Sequence, residues 1–206
     1  MPFPTTVVFD SCTRANENPI KGWTSNPDGA ASGVFKIVSN RMVADTVTAW
    51  MYYTPTYGND NEIFCTLSAL PAAGKYLDFE VRVGTVGSAG IDYYGCYVAD
   101  GIAHMYRFVN DVASSDLLQV TVPAWTAGIG LGLQCVGSSI TLWHQTSASA
   151  QWTQVGGITD TTITTGTRIG LATDSTATQL SNVGGGSFSA AGIPGSEAPI
   201  RRVRRT

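Results

Sequence analysis

Two carboxylates lie close enough in the sequence to do acid–base chemistry. They are Asp78 and Glu80, in the stretch YLDFEV, where they alternate with Leu77 and Phe79. Alternate residues of a strand share a face at about 3.3 Å per residue, so the two carboxylates would be about 7 Å apart. Retaining glycosidases need their two carboxyl groups about 5 to 5.5 Å apart. We interpret the pair as the solvated polar face of a half-buried strand.

Other catalytic chemistry has little support in the sequence. The only histidines are His104 and His144, in strand-like segments, and neither a G-x-S-x-G elbow nor a G-x-x-x-x-G-K-[ST] loop is present. We expect no enzymatic activity. No C-x-x-C pair occurs, so a compact zinc site is excluded, and reduced structural thiols are favoured over a disulfide or a reactive thiol. The cysteines are Cys12, Cys65, Cys96 and Cys135.

One oxygen-rich stretch is a weak candidate for binding calcium. Calcium takes six to eight oxygen ligands, although the spacing here is not that of an EF-hand loop. Asx side chains that satisfy the backbone of a loop would explain the same residues, so we expect no cofactor. The stretch is Asn59, Asp60, Asn61 and Glu62.

Several aromatic residues could form a platform for a sugar. Aromatic side chains in a sandwich mostly fill the core, so the alternative is that these residues are structural. The candidates are Trp50, Tyr52, Tyr53, Tyr57, Trp143 and Trp152, with the hydrogen-bonding residues Asn59 and Asp60 nearby in the sequence.

Composition limits the fold and the partners. Only 13% of the 206 residues are charged, 10% are aromatic and 23 are glycine, which disfavours long surface helices and disorder. No apolar run is long enough to span a membrane, and the first residues lack the features of a secretory signal, so synthesis in the cytosol is expected.

The charge is unevenly distributed. The first 200 residues hold all 15 acidic residues and 8 of the 12 basic ones, a net charge of −7, which argues against general nucleic-acid binding. The other four basic residues lie in the last six positions. They form either a solvated basic terminus or an arm that docks on the carboxylates of a partner. They are Arg201, Arg202, Arg204 and Arg205.

Period-two alternation recurs along the chain and predicts about a dozen short strands. In GIGLGLQCVGSSITLWHQ, the pair Gly137-Ser138 predicts a tight turn between two strands of a hairpin. So many strands favour an all-β, two-sheet antiparallel sandwich. We expect residues 10–188 to form the sandwich, between an N-terminal arm (1–9) and a basic C-terminal arm (189–206).

The order of these segments resembles the concanavalin A-like lectin/glucanase fold, including the laminin-G-like jelly rolls. The resemblance rests on YLDFEVRVG, LGLQCVGSSITLW, WTQV, ITDTTITTGTRIGLATD and GGGSF. The opening FDSCTRANENPIKGW is similar to that of such domains in tailed-phage virion proteins. Glucanases of this fold have an E-x-D-x-E strand, and here Tyr76 stands where the first glutamate would stand.

The resemblance implies a non-enzymatic virion protein. We expect a capsid decoration or cement protein, present in many copies or as a homo-oligomer, whose arms contact the major capsid protein or other virion subunits. The alternative is a carbohydrate-binding module, or a receptor-binding tail protein, that adheres to glycans on the host surface.

Overall fold

The computed structural model describes residues 3–25, 33–84 and 90–187, and these ranges contain sixteen β-strands. The strands are β1 (Val8–Asp10), β2 (Trp23–Ser25), β3 (Phe35–Val38), β4 (Arg41–Ala44), β5 (Ala49–Tyr53), β6 (Asn61–Ala69), β7 (Tyr76–Val83), β8 (Tyr93–Ala99), β9 (Ile102–Val109), β10 (Val112–Ala113), β11 (Leu118–Thr121), β12 (Gly130–Val136), β13 (Ser139–Gln145), β14 (Thr153–Thr159), β15 (Arg168–Thr173) and β16 (Gln179–Ser187).

The strands form two antiparallel sheets that pack face to face. Sheet A has the order β14-β13-β12-β6-β16-β4-β3, with β1 also paired to β16. Sheet B has the order β10-β9-β8-β7-β15-β5-β2, with β11 also paired to β9. Strands distant in sequence are neighbours in both sheets, as in a jelly roll. The predicted all-β sandwich is therefore confirmed.

Alternating apolar residues build the core between the sheets. In β7, Leu77, Phe79 and Val81 are fully buried in this core. The predicted hairpin is also present, because β12 pairs with β13 from Val136 opposite Ser139 onward. Its turn needs a positive φ at Gly137 (57°), which glycine adopts at low cost.

All four cysteines are buried and free, as expected for reduced structural thiols. Burial raises the pKa of the Cys12 thiol and of the Cys135 thiol to about 12. A thiol with so high a pKa is a poor nucleophile at neutral pH. These residues therefore act as small apolar side chains of the core.

The N-terminal segment lies on the outer face of sheet A. Phe3 stacks on Trp143 with ring centroids 5.1 Å apart, and it is only 6% exposed. The backbone N–H of Thr6 donates to Oε1 of Glu62 over 2.8 Å. An aromatic contact and a buried carboxylate thus attach residues 3–9 to the sandwich, whereas the role of residues 1–9 as a docking arm stays a prediction.

The predicted C-terminal arm, residues 189–206, lies outside the described residues, and so do the arginines of its last six positions. Its role in docking stays a prediction. Within the described part of the chain, no helix is long and apolar enough to cross a membrane.

Candidate functional site

Aromatic side chains cover the outer face of sheet B. They come from β5, β7, β8 and β9, which are neighbours in the sheet or are separated only by β15. Alternation places seven of the aromatic residues of these strands on the face opposite the core, while others, such as Phe79 and Tyr94, point into the core. The rings are those of Trp50, Tyr52, Tyr76, Tyr93, Tyr97, Tyr106 and Phe108.

The rings contact one another in a continuous series. Tyr93 stacks on Phe108 with centroids 4.9 Å apart, and it meets Tyr106 edge-on at 5.9 Å. Tyr97 lies 6.0 Å from Tyr106 and 5.8 Å from Tyr76. These contacts hold the rings in fixed orientations, as a preformed binding surface requires.

A cavity of about 530 Å³ opens among these rings. We call it the tyrosine pocket. Its aromatic lining is Tyr76, Tyr93, Tyr97, Tyr106 and Phe108. Asp78 lies at its floor, and Ala113, Ser114 and Asp116 form its rim.

The pairing of β9 explains why the rim residues lie beside the pocket. This strand pairs with β10 near its end and with β11 near its start. The residues that connect β10 to β11 therefore run along the edge of β9 that faces away from β8. Within it, Asp116 accepts a hydrogen bond of 2.8 Å from Nδ1 of His104, if that nitrogen carries the proton, and His104 stacks on Tyr97 at 4.4 Å.

Two buried carboxyl groups lie beneath the rings. Asp78 is 5% exposed and Glu80 is 1% exposed. The hydroxyl of Tyr106 donates to Oδ2 of Asp78 over 2.5 Å, and Nε1 of Trp50 donates to Oε2 of Glu80 over 2.9 Å. The interpretation of this pair as a solvated polar face was wrong, because rings from neighbouring strands cover the outer face of β7.

Burial changes the protonation of this pair. It raises the pKa of Asp78 to about 7, although the Tyr106 hydroxyl and nearby backbone amides partly offset the effect. Burial, together with the charge of Asp78, raises the pKa of Glu80 well above its usual value. We therefore expect the pair to hold at least one proton at neutral pH.

Two glycines make room for these side chains. A Cβ atom at Gly95 would overlap the ring of Tyr106. A Cβ atom at Gly170 would overlap Oε2 of Glu80 and the ring of Tyr52. Glycine in a strand interior often marks such a close approach, so both residues are part of the site.

The sugar-binding residues predicted from the sequence fall in three separate places. Trp50 and Tyr52 belong to the aromatic face of sheet B. Tyr57 lies 6.3 Å from Tyr53, at the edge of the core. Trp143 and Trp152 lie on sheet A, where the ring of Phe3 packs against both.

The sequence did not identify the tyrosine pocket itself. Four of its five aromatic residues, Tyr93, Tyr97, Tyr106 and Phe108, lie an even number of positions apart in two successive segments, IDYYGCYV and IAHMYRFV, as residues on one face of a strand do. The pairing of these strands places Tyr93 opposite Phe108, and Tyr97 opposite His104. That register was the missing information, and alternate aromatic residues in two successive strands were the available signal.

The weak calcium candidates do not converge on one point. Oδ1 of Asp60 accepts hydrogen bonds from Arg82 and Gly137, and Oδ1 of Asn61 accepts one from the backbone of Arg82. Glu62 instead binds the N-terminal segment on sheet A. Among the described residues, no group of three or more His, Cys, Asp or Glu side chains could hold a metal ion.

A second cavity, of about 520 Å³, lies between loops at one end of the sandwich and has Arg82 and Asp160 in its lining. The Arg82 guanidinium donates to the carbonyls of Asn59 and Ile163 and to the carboxylate of Asp60. Every nitrogen of this side chain thus has a protein partner. The group ties loops together at this end of the sandwich.

Comparison with known proteins shows which known folds this chain resembles. No protein-family model and no curated protein sequence matches the chain. Among solved structures, the Ca²⁺-bound exoplasmic/lumenal domain of VIP36 matches with a TM-score of 0.62 and 9% identity, over 90% of this chain and 91% of that one. The chain has a lectin-like β-sandwich fold.

Two carbohydrate-binding modules are also similar in structure. Module CBM66 from Bacillus subtilis has a TM-score of 0.56 and 15% identity, over 81% of this chain and 96% of that one. The CBM2 module of the evolved Dit of Lactobacillus casei BL23 phage J-1 has a TM-score of 0.56 and 12% identity, over 87% and 94%. Identities this low show the shared fold alone.

Proposed function

We propose that this protein is a non-catalytic carbohydrate-binding protein whose glycan lies in the tyrosine pocket. The observation that carries the proposal is a cavity of about 530 Å³ in which contiguous aromatic rings surround a buried carboxyl group. The C–H faces of a sugar ring pack on aromatic faces, and its hydroxyls need a few fixed polar partners. The pocket offers both, in the mainly apolar setting usual for ligand sites.

The absence of catalysis is part of the proposal. Tyr76 stands where the first carboxylate of a glucanase strand would stand, and burial raises its pKa to about 12, so its hydroxyl is neutral at pH 7. Tyr106 and Trp50 each bind one oxygen of the remaining acid pair. A carboxylate so placed can accept hydrogen bonds from a sugar without attacking it.

We place this binding activity on the virion of a tailed phage, as attachment to host glycans. The phage-like opening segment supports that setting, as does the similarity to a module of a phage Dit. Sugar binding is favoured over capsid decoration because residues 3–9, one of the arms assigned to docking, pack on the sandwich itself. Assembly with virion subunits, and presence in many copies, stay predictions.

Substitutions on opposite sheets test the site. A glycan array containing neutral, amino and acidic glycans is screened with the unaltered protein, and the best ligand is then titrated by calorimetry. Tyr97→Ala removes a wall of the tyrosine pocket, whereas Trp143→Ala removes an aromatic ring from sheet A. Circular dichroism checks that both variants are folded.

We expect Tyr97→Ala to abolish binding and Trp143→Ala to leave it unchanged. An array without any signal, or the opposite pattern in the two variants, would overturn the proposal. Incubation of the bound glycan with the unaltered protein should release no new reducing ends, and release of such ends would overturn the non-catalytic assignment.

A further inference from the structure

The charged side chains that line the tyrosine pocket are acidic. Its charged groups are Asp78 at the floor and Asp116 at the rim. Glu80 lies beneath, close enough for its pKa to respond to the charge of Asp78. Among the residues that the structure describes, no lysine or arginine contributes to this lining. The electrostatic potential inside the pocket therefore favours a cation over an anion.

The rings favour a cation as well. An aromatic ring carries negative charge on its face, and a cation within about 6 Å of the ring centre is attracted to it. Cages of aromatic rings bind quaternary ammonium groups in this way. Here Tyr93, Tyr97 and Tyr106 line one cavity, with neighbouring centroids about 6 Å apart.

The acid pair has unused hydrogen-bonding capacity. Oδ1 of Asp78 and Oε1 of Glu80 are buried and accept no hydrogen bond from the described residues. A buried polar atom without a partner is unfavourable, so such atoms in folded proteins often have a functional role. Asp78 lines the cavity, so its carboxyl group is the polar group that a cationic ligand would meet there.

We propose that the tyrosine pocket recognises a cationic amine, and that its preferred glycan carries amino sugars with free, protonated amines, as in oligomers of glucosamine. This inference rests on the proposed carbohydrate-binding function. The ammonium group pairs with the Asp78 carboxylate at the floor of the cavity, beside the rings of Tyr97 and Tyr106. N-acetylation removes the charge and adds bulk, so acetylated sugars bind more weakly.

The experiment compares three tetrasaccharides by calorimetry at one pH and ionic strength. They are the tetramer of glucosamine, the tetramer of N-acetylglucosamine and the neutral tetramer of glucose. Choline is tested separately as a cation that is not a sugar. We expect the glucosamine tetramer to bind at least tenfold more tightly than the other two, and choline to compete with it.

Asp78→Asn removes the charge and keeps the shape of the side chain. We expect it to reduce the affinity for the glucosamine tetramer at least tenfold more than the affinity for the neutral tetramer, because a sugar hydroxyl donates to an amide oxygen as it does to a carboxylate, whereas an ammonium group loses its counter-charge. Asp45→Asn is the matched control, since Asp45 follows β4 in sheet A and binds a backbone N–H there. It should change neither affinity.

A measurement on the unaltered protein covers the case in which Asp78→Asn does not fold. Added salt should weaken binding of the glucosamine tetramer and leave binding of the neutral tetramer unchanged. Equal affinity for all three tetramers would overturn the amine preference and leave the carbohydrate function in place. Binding of choline without any glycan would support the cation site and overturn the carbohydrate function.

Discussion

The hydroxyl of Tyr106 on β9 donates a hydrogen bond of 2.5 Å to Oδ2 of Asp78 on β7, across the intervening strand β8. The bond forms because Gly95 on β8 leaves the space that the Tyr106 ring occupies. It joins the aromatic lining of the tyrosine pocket to the acid at its floor.

Tyr106→Phe tests this bond. The ring stays over Gly95, but the hydroxyl that stabilises the ionised carboxylate is lost, so the pKa of Asp78 should rise above its value of about 7. NMR titration of the carboxyl carbon of Asp78 measures the change. Tyr76→Phe, which removes a hydroxyl from the same pocket, is the control. An unchanged or lower pKa in Tyr106→Phe would show that the bond does not stabilise the ionised form.

Asp78 should also make stability depend on pH. Its pKa is about 7 in the folded protein and near 3.8 when exposed, so the folded state binds more protons between these values. Stability should therefore fall as pH rises from about 4 to about 7. Asp78→Asn should remove much of this slope, as measured by chemical denaturation at several pH values. An equal slope in the variant would refute the assignment.

The carboxylate of Asp160 should make stability depend on pH in a lower, separate range of pH. Burial alone would raise the pKa of Asp160, but hydrogen bonds from Thr162, Tyr94 and Arg107 lower it to about 2. Asp160 thus contributes stability that is present above about pH 4 and is lost as pH falls toward 2. Asp160→Asn should reduce the acid sensitivity of unfolding below pH 4. It should leave the slope between pH 4 and 7 unchanged.

Gly95→Ala should damage the tyrosine pocket. The added methyl group overlaps the Tyr106 ring and must displace it, at a cost of about 1 to 3 kcal/mol in the free energy of unfolding. Gly58→Ala is the control, because the nearest atom to a new Cβ there is 3.8 Å away. Denaturation midpoints and glycan affinity measure both effects. A Gly95→Ala variant with normal stability and affinity would contradict the described packing.

Phe3→Ala should destabilise the sandwich without affecting the tyrosine pocket. Phe3 is 6% exposed and contacts Trp143 and Trp152, so its loss should cost about 3 kcal/mol. Thermal unfolding measures the effect, and calorimetry should show unchanged glycan affinity. An unchanged melting temperature would mean that residues 3–9 are only loosely attached, as in the original prediction of an arm.

The sequence was informative about strands and less so about which faces are buried. Alternation in β7 correctly placed Leu77 and Phe79 in the core. The same alternation suggested that Asp78 and Glu80 are solvated. A period of two residues shows that the two faces of a strand differ in polarity, but it does not show what covers the polar face. The covering rings come from strands about 15 to 30 residues away in sequence, and only their pairing brings them over β7.

The aromatic candidates show the same limit. Trp50 and Trp143 are equally plausible sugar platforms in the sequence, since both lie in alternating strands. They are on different sheets, and the ring of the N-terminal Phe3 already stacks on the ring of Trp143. A contact between residues 140 positions apart has no local signal, so composition and periodicity alone could not separate the two.

NMR spectroscopy of the protein with its best array glycan tests the central claim most directly. The ring signals of Tyr93, Tyr97 and Tyr106 should shift on addition of the glycan, while those of Trp143 and Trp152 on sheet A stay unchanged. Shifts confined to the two tryptophans, with the tyrosine signals unmoved, would contradict the assignment of the tyrosine pocket as the glycan-binding site.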